Sequence, residues 1–205
     1  KAANAEVIVS YHNFRETPSN LSPIYQQLKA ARCHAVKIAT FANDVNDNLR
    51  LFEVMEEANA DGVRMVAMCM GPRGEVSRVL YKAFGGWFTF ASLAKGKESA
   101  PGQLSYSELA QLYRANVLTK NTKIFGTLGN PVSHSLSPVI HNSAFRSKAL
   151  DCVFLKFETS DLSNFVNGFK KLNLAGLAVT MPYKQEIMKL IDSVDETAKK
   201  IVAVN

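Results

Sequence analysis

An α/β chain built on parallel strands is the fold class the sequence predicts, and three features predict it. Short runs rich in Val, Ile and Ala alternate with stretches whose apolar residues recur at helical spacing, the pattern of strand-helix-strand units. The alternation lapses over the polar residues 119–122 and then restarts, which predicts two domains, 1–118 and 119–205. The 205 residues are 47% apolar, enough for a core in each half.

In order, residues 6–11 form a β-branched run closed by His12 and Asn13, read as a strand and the loop at its carboxyl end. A helix is predicted over about 22–32, with Ile24, Leu28 and Ala31 on one face, followed by a buried strand over 35–40. Val45, Leu49, Phe52 and Met55 give the apolar stripe of a second helix ending near 59. A third strand over 63–69 leads into Gly71-Pro72-Arg73-Gly74, then a short helix over 77–84 and a strand over 87–91. After a polar loop at 99–103, Ser105 and Glu108 stand at capping-box spacing and open a helix to about Tyr113. The second half predicts strands over 123–128, 152–158 and 174–179 and helices over 137–147, 162–172 and 184–191.

Composition excludes several classes of function. The formal charge is +6, but the 24 basic residues are scattered and form no stripe with interleaved aromatics, so nucleic acid is not the expected partner. Cys33, Cys69 and Cys152 are odd in number and lack metal-type spacing; we expect reduced, apolar thiols and no metal site. No apolar run approaches the roughly 20 residues of a membrane span. Position 1 is lysine and the chain enters a strand almost at once, so upstream residues are expected to be missing.

Two residues of the first half carry chemistry. His12 stands at the carboxyl end of a strand, where it is either a base or a hydrogen-bonded surface residue. Lys37 lies among Val36, Ile38 and Ala39, where lost hydration lowers an amine's pKa and frees it as a nucleophile toward carbonyls; the alternative is a lysine snorkelling from the strand end. In a β/α barrel both would project at one rim. In the second half, Ser135-Leu136-Ser137-Pro138 and, some way downstream, Thr180-Met181-Pro182-Tyr183-Lys184 offer a hydroxyl pair and a lysine suited to a polyhydroxylated carboxylate. Taken singly, Ser137 could be an N-cap and Lys184 a first-turn surface lysine.

Ser10-Tyr11-His12-Asn13, Val36-Lys37-Ile38-Ala39, Met70-Gly71 with Gly74 and Ser77-Arg78, and Ser99-Ala100-Pro101-Gly102-Gln103, in that order, resemble the second half of type I 3-dehydroquinate dehydratases. The resemblance implies the C-terminal half of a (β/α)8 TIM barrel over 1–118. It implies a Schiff base between Lys37 and the ketone of 3-dehydroquinate, His12 as general base and then acid, Arg78 as carboxylate clamp, and Ser99 and Gln103 on the loop that closes over the substrate. Gly129-Asn130-Pro131 with Ser135-Leu136-Ser137-Pro138, then Val179-Thr180-Met181-Pro182-Tyr183-Lys184 and Ala203-Val204-Asn205, resemble the substrate-binding domain of shikimate dehydrogenases. That resemblance implies Ser135 and Ser137 on the substrate carboxylate, Thr180 and Asn205 on hydroxyls, and Lys184 assisting proton transfer as NADP exchanges hydride. Retention of Ser137 and Thr180 favours shikimate over quinate, while Ala178 stands where many members carry Asn or Ser. The two halves together resemble bifunctional shikimate-pathway enzymes best known from plants, which convert 3-dehydroquinate to 3-dehydroshikimate and shikimate on the way to chorismate and the aromatic amino acids. The expectation is a middle fragment whose NADP-binding domain lies downstream, with little activity alone, from a chloroplast or else the cytosol. A class I aldolase-like barrel and a non-catalytic metabolite-binding derivative are the alternatives.

Overall fold

The computed structural model describes residues 5–205 and divides into two compact units, Lys1–Asn43 with Asp47–Lys120, and Asp44–Asn46 with Asn121–Asn205. The first unit is a three-stranded parallel sheet, β1 (Ile8–His12), β2 (Ala35–Phe41) and β3 (Met65–Met70), in sequential order. Between the strands run α1 (Ser22–Ala30) and α2 (Asp47–Ala60). The two helices contact each other, as they must when successive crossovers of one hand carry both to the same side of the sheet. In register, Lys37 pairs with Ser10 and Val66, and Ala39 with His12 and Met68. Strand alternation therefore turns these residues to the other side, where Ala39, Val66 and Met68 form a small core with Phe88 packed on it.

Local chemistry explains the departures from expectation. The apolar stripe of α1 is Leu21, Tyr25 and Leu28, and Ala31 is exposed; Tyr25 is buried because its hydroxyl donates to Asp61 at 2.7 Å. Residues 87–91 are not a strand. Phe88 packs on the sheet face and the aromatic rings meet one another (Trp87 to Phe88 5.0 Å, Phe88 to Phe90 5.5 Å), while the Trp87 N–H donates to Met65 O at 2.7 Å and, among the described residues, the isolated bridge is Ser92 to Ser105. The capping box exists, with the Ser105 N–H donating to Glu108 Oε2 at 2.8 Å and the Glu108 N–H to Ser105 Oγ at 3.2 Å, but the turn that follows widens into a π-helix, Glu108–Leu112. The expected helix over 77–84 is α3 (Glu75–Leu80) running into a 3-10 turn, Tyr81–Phe84.

The second unit has the strand order β5-β4-β6, all parallel: β4 (Lys123–Gly129), β5 (Cys152–Glu158), β6 (Leu174–Val179). α4 (Ser137–Ser147) lies on one face, where Phe125 meets Phe145 and Asn142 bonds both backbone groups of Phe154. α5 (Leu162–Phe169) covers the other through a Phe157, Phe165, Phe169 cluster. The helix expected over 184–191 shrinks to a 3-10 turn, Glu186–Lys189, and a further helix, α6 (Glu196–Ile201), is capped by Asp195. Because β4 is central and its outgoing chain turns away to β5, the loops leaving β4 and β6 stand at the switch point of the strand order, the place where open α/β sheets bind ligands.

Two candidate active sites

In the first unit three groups carry charge chemistry: His12 ends β1, Lys37 lies within β2 and Arg78 lies on α3. His12 and Lys37 project on one face, and the Lys37 amine lies over the Phe90 ring, 4.5 Å from its centroid. Burial, and then the positive charge of Arg78, pull the Lys37 amine below its ordinary value. Burial, and then the charge of Lys37, do the same to His12, which favours the neutral, base-competent imidazole. Arg78 is 1% exposed, its Nη1 reaches only the Met68 sulfur at 3.4 Å, and its Nε has no hydrogen-bond partner. A buried guanidinium left this unsatisfied is costly unless an anion completes it.

Arg78 is aimed by its motif neighbour Ser77 and by Asn48, which sequence reasoning passed over. The Ser77 hydroxyl accepts the Cys69 N–H at 2.8 Å and donates to Gly74 O at 2.7 Å, and Asn48 accepts the Ser77 N–H and donates to Arg73 O. Together they seat α3 against the end of β3. Phe90 was equally hidden, since an aromatic run reads as strand. Ser99 and Gln103 bond to each other, Ser99 N–H to Gln103 Oε1 at 2.7 Å and hydroxyl to the same oxygen at 3.2 Å. Their loop is laid against the end of β3: the Gly71 N–H donates to Pro101 O at 2.9 Å, and a Cβ on Gly102, at φ +69°, would stand 2.0 Å from Gly71 O. Only glycine fits there.

In the second unit, the Thr180 N–H donates to Leu128 O at 2.8 Å and the Asn130 N–H to Met181 O at 3.0 Å, stitching the loops after β4 and β6 together. A Cβ on Gly129 would lie 2.4 Å from the Thr180 methyl, so this glycine makes room for Thr180. Ser137 is not an N-cap; it sits at the first helical position, and its N–H donates to Ser135 Oγ at 3.3 Å. Lys184 is half-buried, preceded by Tyr183, whose hydroxyl donates to Thr159 O at 2.6 Å. The Val204 N–H donates to Lys184 O at 2.8 Å, which draws the backbone before the exposed Asn205 alongside Lys184. Among the described residues no hydrogen bond joins the Ser135–Ser137 pair to Lys184.

Among the described residues no cluster of metal-ligating side chains occurs, and no helix is long and apolar enough to cross a membrane. Nor do the residues present fit a dinucleotide. No Gly-x-Gly-x-x-Gly follows a strand, and the space at Gly129 is filled by Thr180 and Val132.

The sequence matches the family model for type I 3-dehydroquinase over residues 1–119 and that for the shikimate dehydrogenase substrate binding domain over residues 127–205. It is 38% identical over 207 residues to the chloroplastic bifunctional 3-dehydroquinate dehydratase/shikimate dehydrogenase of Arabidopsis thaliana, covering 100% of this chain and 34% of the relative. It is 35% identical to the pentafunctional AROM polypeptide of Lachancea thermotolerans, covering 98% of this chain and 13% of that one. The second half is 43% identical over 90 residues to a shikimate dehydrogenase (NADP(+)) of Pyrococcus furiosus, covering 43% of this chain and 33% of the other. The chain thus spans about a third or less of the length of these relatives.

Proposed function

Since the chain belongs to the type I 3-dehydroquinase family and continues into a shikimate dehydrogenase substrate-binding domain, we propose that it is part of a bifunctional enzyme that dehydrates 3-dehydroquinate and reduces the product to shikimate. One observation carries the dehydratase half: the Lys37 amine is lowered by burial and by the charge of Arg78, whose own buried guanidinium keeps an Nε without a protein partner. The Lys37 nitrogen attacks the ketone, water leaves, and an iminium forms. His12 takes a proton from the adjacent carbon, and the electron pair moves into the enamine. As the pair returns, the hydroxyl one carbon further leaves as water with a proton from His12, and hydrolysis of the imine restores Lys37. Arg78 holds the substrate carboxylate with its planar fork, and Ser99 and Gln103 close over the ring. We read residues 1–118 as the C-terminal half of a (β/α)8 barrel, an architecture of about 250 residues when whole.

In the second half, Ser135 and Ser137 take the carboxylate, Thr180 and Asn205 take ring hydroxyls, and Lys184 holds or moves the proton of the reacting hydroxyl. NADP belongs to a domain outside these residues, so no hydride step is assigned to them. The Arabidopsis relative is chloroplastic, and we place this protein there by analogy.

Borohydride reduction in the presence of 3-dehydroquinate tests the reading. A stable adduct on Lys37, detected by peptide mass spectrometry and absent in Lys37→Met, is the expected result. Trapping with aldol substrates instead would falsify it.

A further inference from the structure

β5 lies beside β4, and two of its side chains reach the loop that follows β4. Glu158 Oε2 accepts the Val132 N–H at 3.0 Å, and Lys156 Nζ donates to Ser133 O at 3.4 Å. The two residues are i and i+2 on one strand and so share a face. From Val132 the ties continue inward: Val132 O accepts the Ser135 N–H at 3.0 Å, and Ser135 Oγ accepts the Ser137 N–H at 3.3 Å. The Val132 side chain is itself buried, 2% exposed, and fits against Gly129. One carboxylate oxygen therefore begins a series of bonds that ends on the Ser135 hydroxyl and the Ser137 amide. By charge alone Glu158 is the wrong group to place near an anion's seat, since like charges repel. Its useful contribution is the acceptor it offers a loop amide, a bond strengthened by its charge.

We propose that Glu158 is a positioning residue that sets the Ser135 and Ser137 hydroxyls through the Val132 amide, and thereby sets affinity for the substrate carboxylate. This rests on the reading of Ser135 and Ser137 as the carboxylate grip. A bond that only orients a binding group acts on ground state and transition state alike, so its loss raises KM and largely spares kcat.

The experiment uses the full-length protein, with shikimate as substrate and hydrogen-deuterium exchange of the segment 129–137 as a second readout. Glu158→Ala is expected to raise the KM for shikimate about tenfold, the effect of one charge-assisted bond, with kcat within about twofold, and to speed exchange in that segment. Glu158→Gln, which keeps an acceptor oxygen and removes the repelling charge, is expected to restore both. Should Glu158→Ala fail to fold, Glu158→Leu, similar in bulk and without an acceptor, replaces it. Unchanged KM and exchange in the Ala or Leu variant overturn the proposal, as does failure of Gln to restore them. If the unaltered protein neither binds nor turns over shikimate, the carboxylate-grip reading fails, and exchange alone decides whether Glu158 holds the loop.

Discussion

A lysine can attack a ketone only through its unprotonated amine, so in the proposed dehydration what surrounds Lys37 would govern the rate of imine formation at neutral pH. Burial is the larger influence and the Arg78 charge the second, and both disfavour the ammonium. Arg78→Met removes only the second, so the Lys37 titration should move part of the way back toward its ordinary value. NMR of reductively methylated protein would read this, and a downward move would contradict it. The sign for stability follows from the same shift. Because folding makes Lys37 harder to protonate, its contribution is unfavourable below the folded pKa and disappears as pH rises from there through the unfolded value. Cys69 behaves oppositely: burial pushes its thiol up to about 11, with Thr17 and Thr40 hydroxyls 3.6 Å away. It should remain unmodified by a thiol-specific disulfide reagent at pH 8 in the folded protein, while the partly exposed Cys33 and Cys152 react. Rapid labelling of all three without unfolding would show that β3 opens.

Packing of elements is most sharply fixed in the second unit, where the Phe157 ring lies directly over Gly126 of β4. A Cβ there would stand 2.3 Å from the ring and 2.9 Å from Leu155 O, so Gly126→Ala should cost about 1–3 kcal/mol as overpacking. Gly62→Ala is the matched control, because φ is +69° but nothing lies within 4 Å, and strain of about 1 kcal/mol is all it should incur. Urea midpoints at unchanged m would separate the two; equal losses would mean that the α5 face is not packed in this way. Elements whose bounds were legible in the sequence, residues 137–147, 152–158 and 174–179, are those in which local pattern and tertiary packing agree. Legibility failed where tertiary bonds override the local pattern. Lys184 O is taken by the Val204 N–H and Met188 N–H turns to Gln185 O, so the segment cannot continue as an α-helix. The Tyr113 N–H goes to Glu108 O five residues back, which makes a π-turn that no periodicity announces. The Asp195 cap of α6 was visible in principle, since its side chain stands two and three residues before the Thr197 and Ala198 amides it accepts. His12, Lys37 and Arg78 could be picked out by ordered motifs, whereas Asn48, Phe90 and Glu158 could not, because they act on neighbours that only the fold brings near.

The residues of the two proposed sites fall in separate compact units. The ties that build the first come from residues of the first unit, and those that build the second from residues 128–205 together with Asp44, which belongs to the second unit and accepts from Thr159. Substitutions in one unit should therefore leave the other's chemistry alone, as sites without shared partners behave additively. In the full-length protein, Lys37→Met should abolish borohydride trapping of 3-dehydroquinate while calorimetric affinity for shikimate stays within about twofold, inside the scatter of additivity at about 0.5 kcal/mol. Ser135→Ala should do the reverse, weakening shikimate at least tenfold through loss of a hydrogen bond to a charged group, about 1.5–3 kcal/mol, and leaving the trapped adduct at its parent yield. The crossed design matters more than either variant alone. A general loss of folding would depress both readouts together, and a shared substrate site would do the same, so only a clean exchange of phenotypes assigns one reaction to each unit. If Lys37→Met changes shikimate affinity more than about fivefold, roughly 1 kcal/mol, the two activities are coupled through the chain and the separate-site account fails.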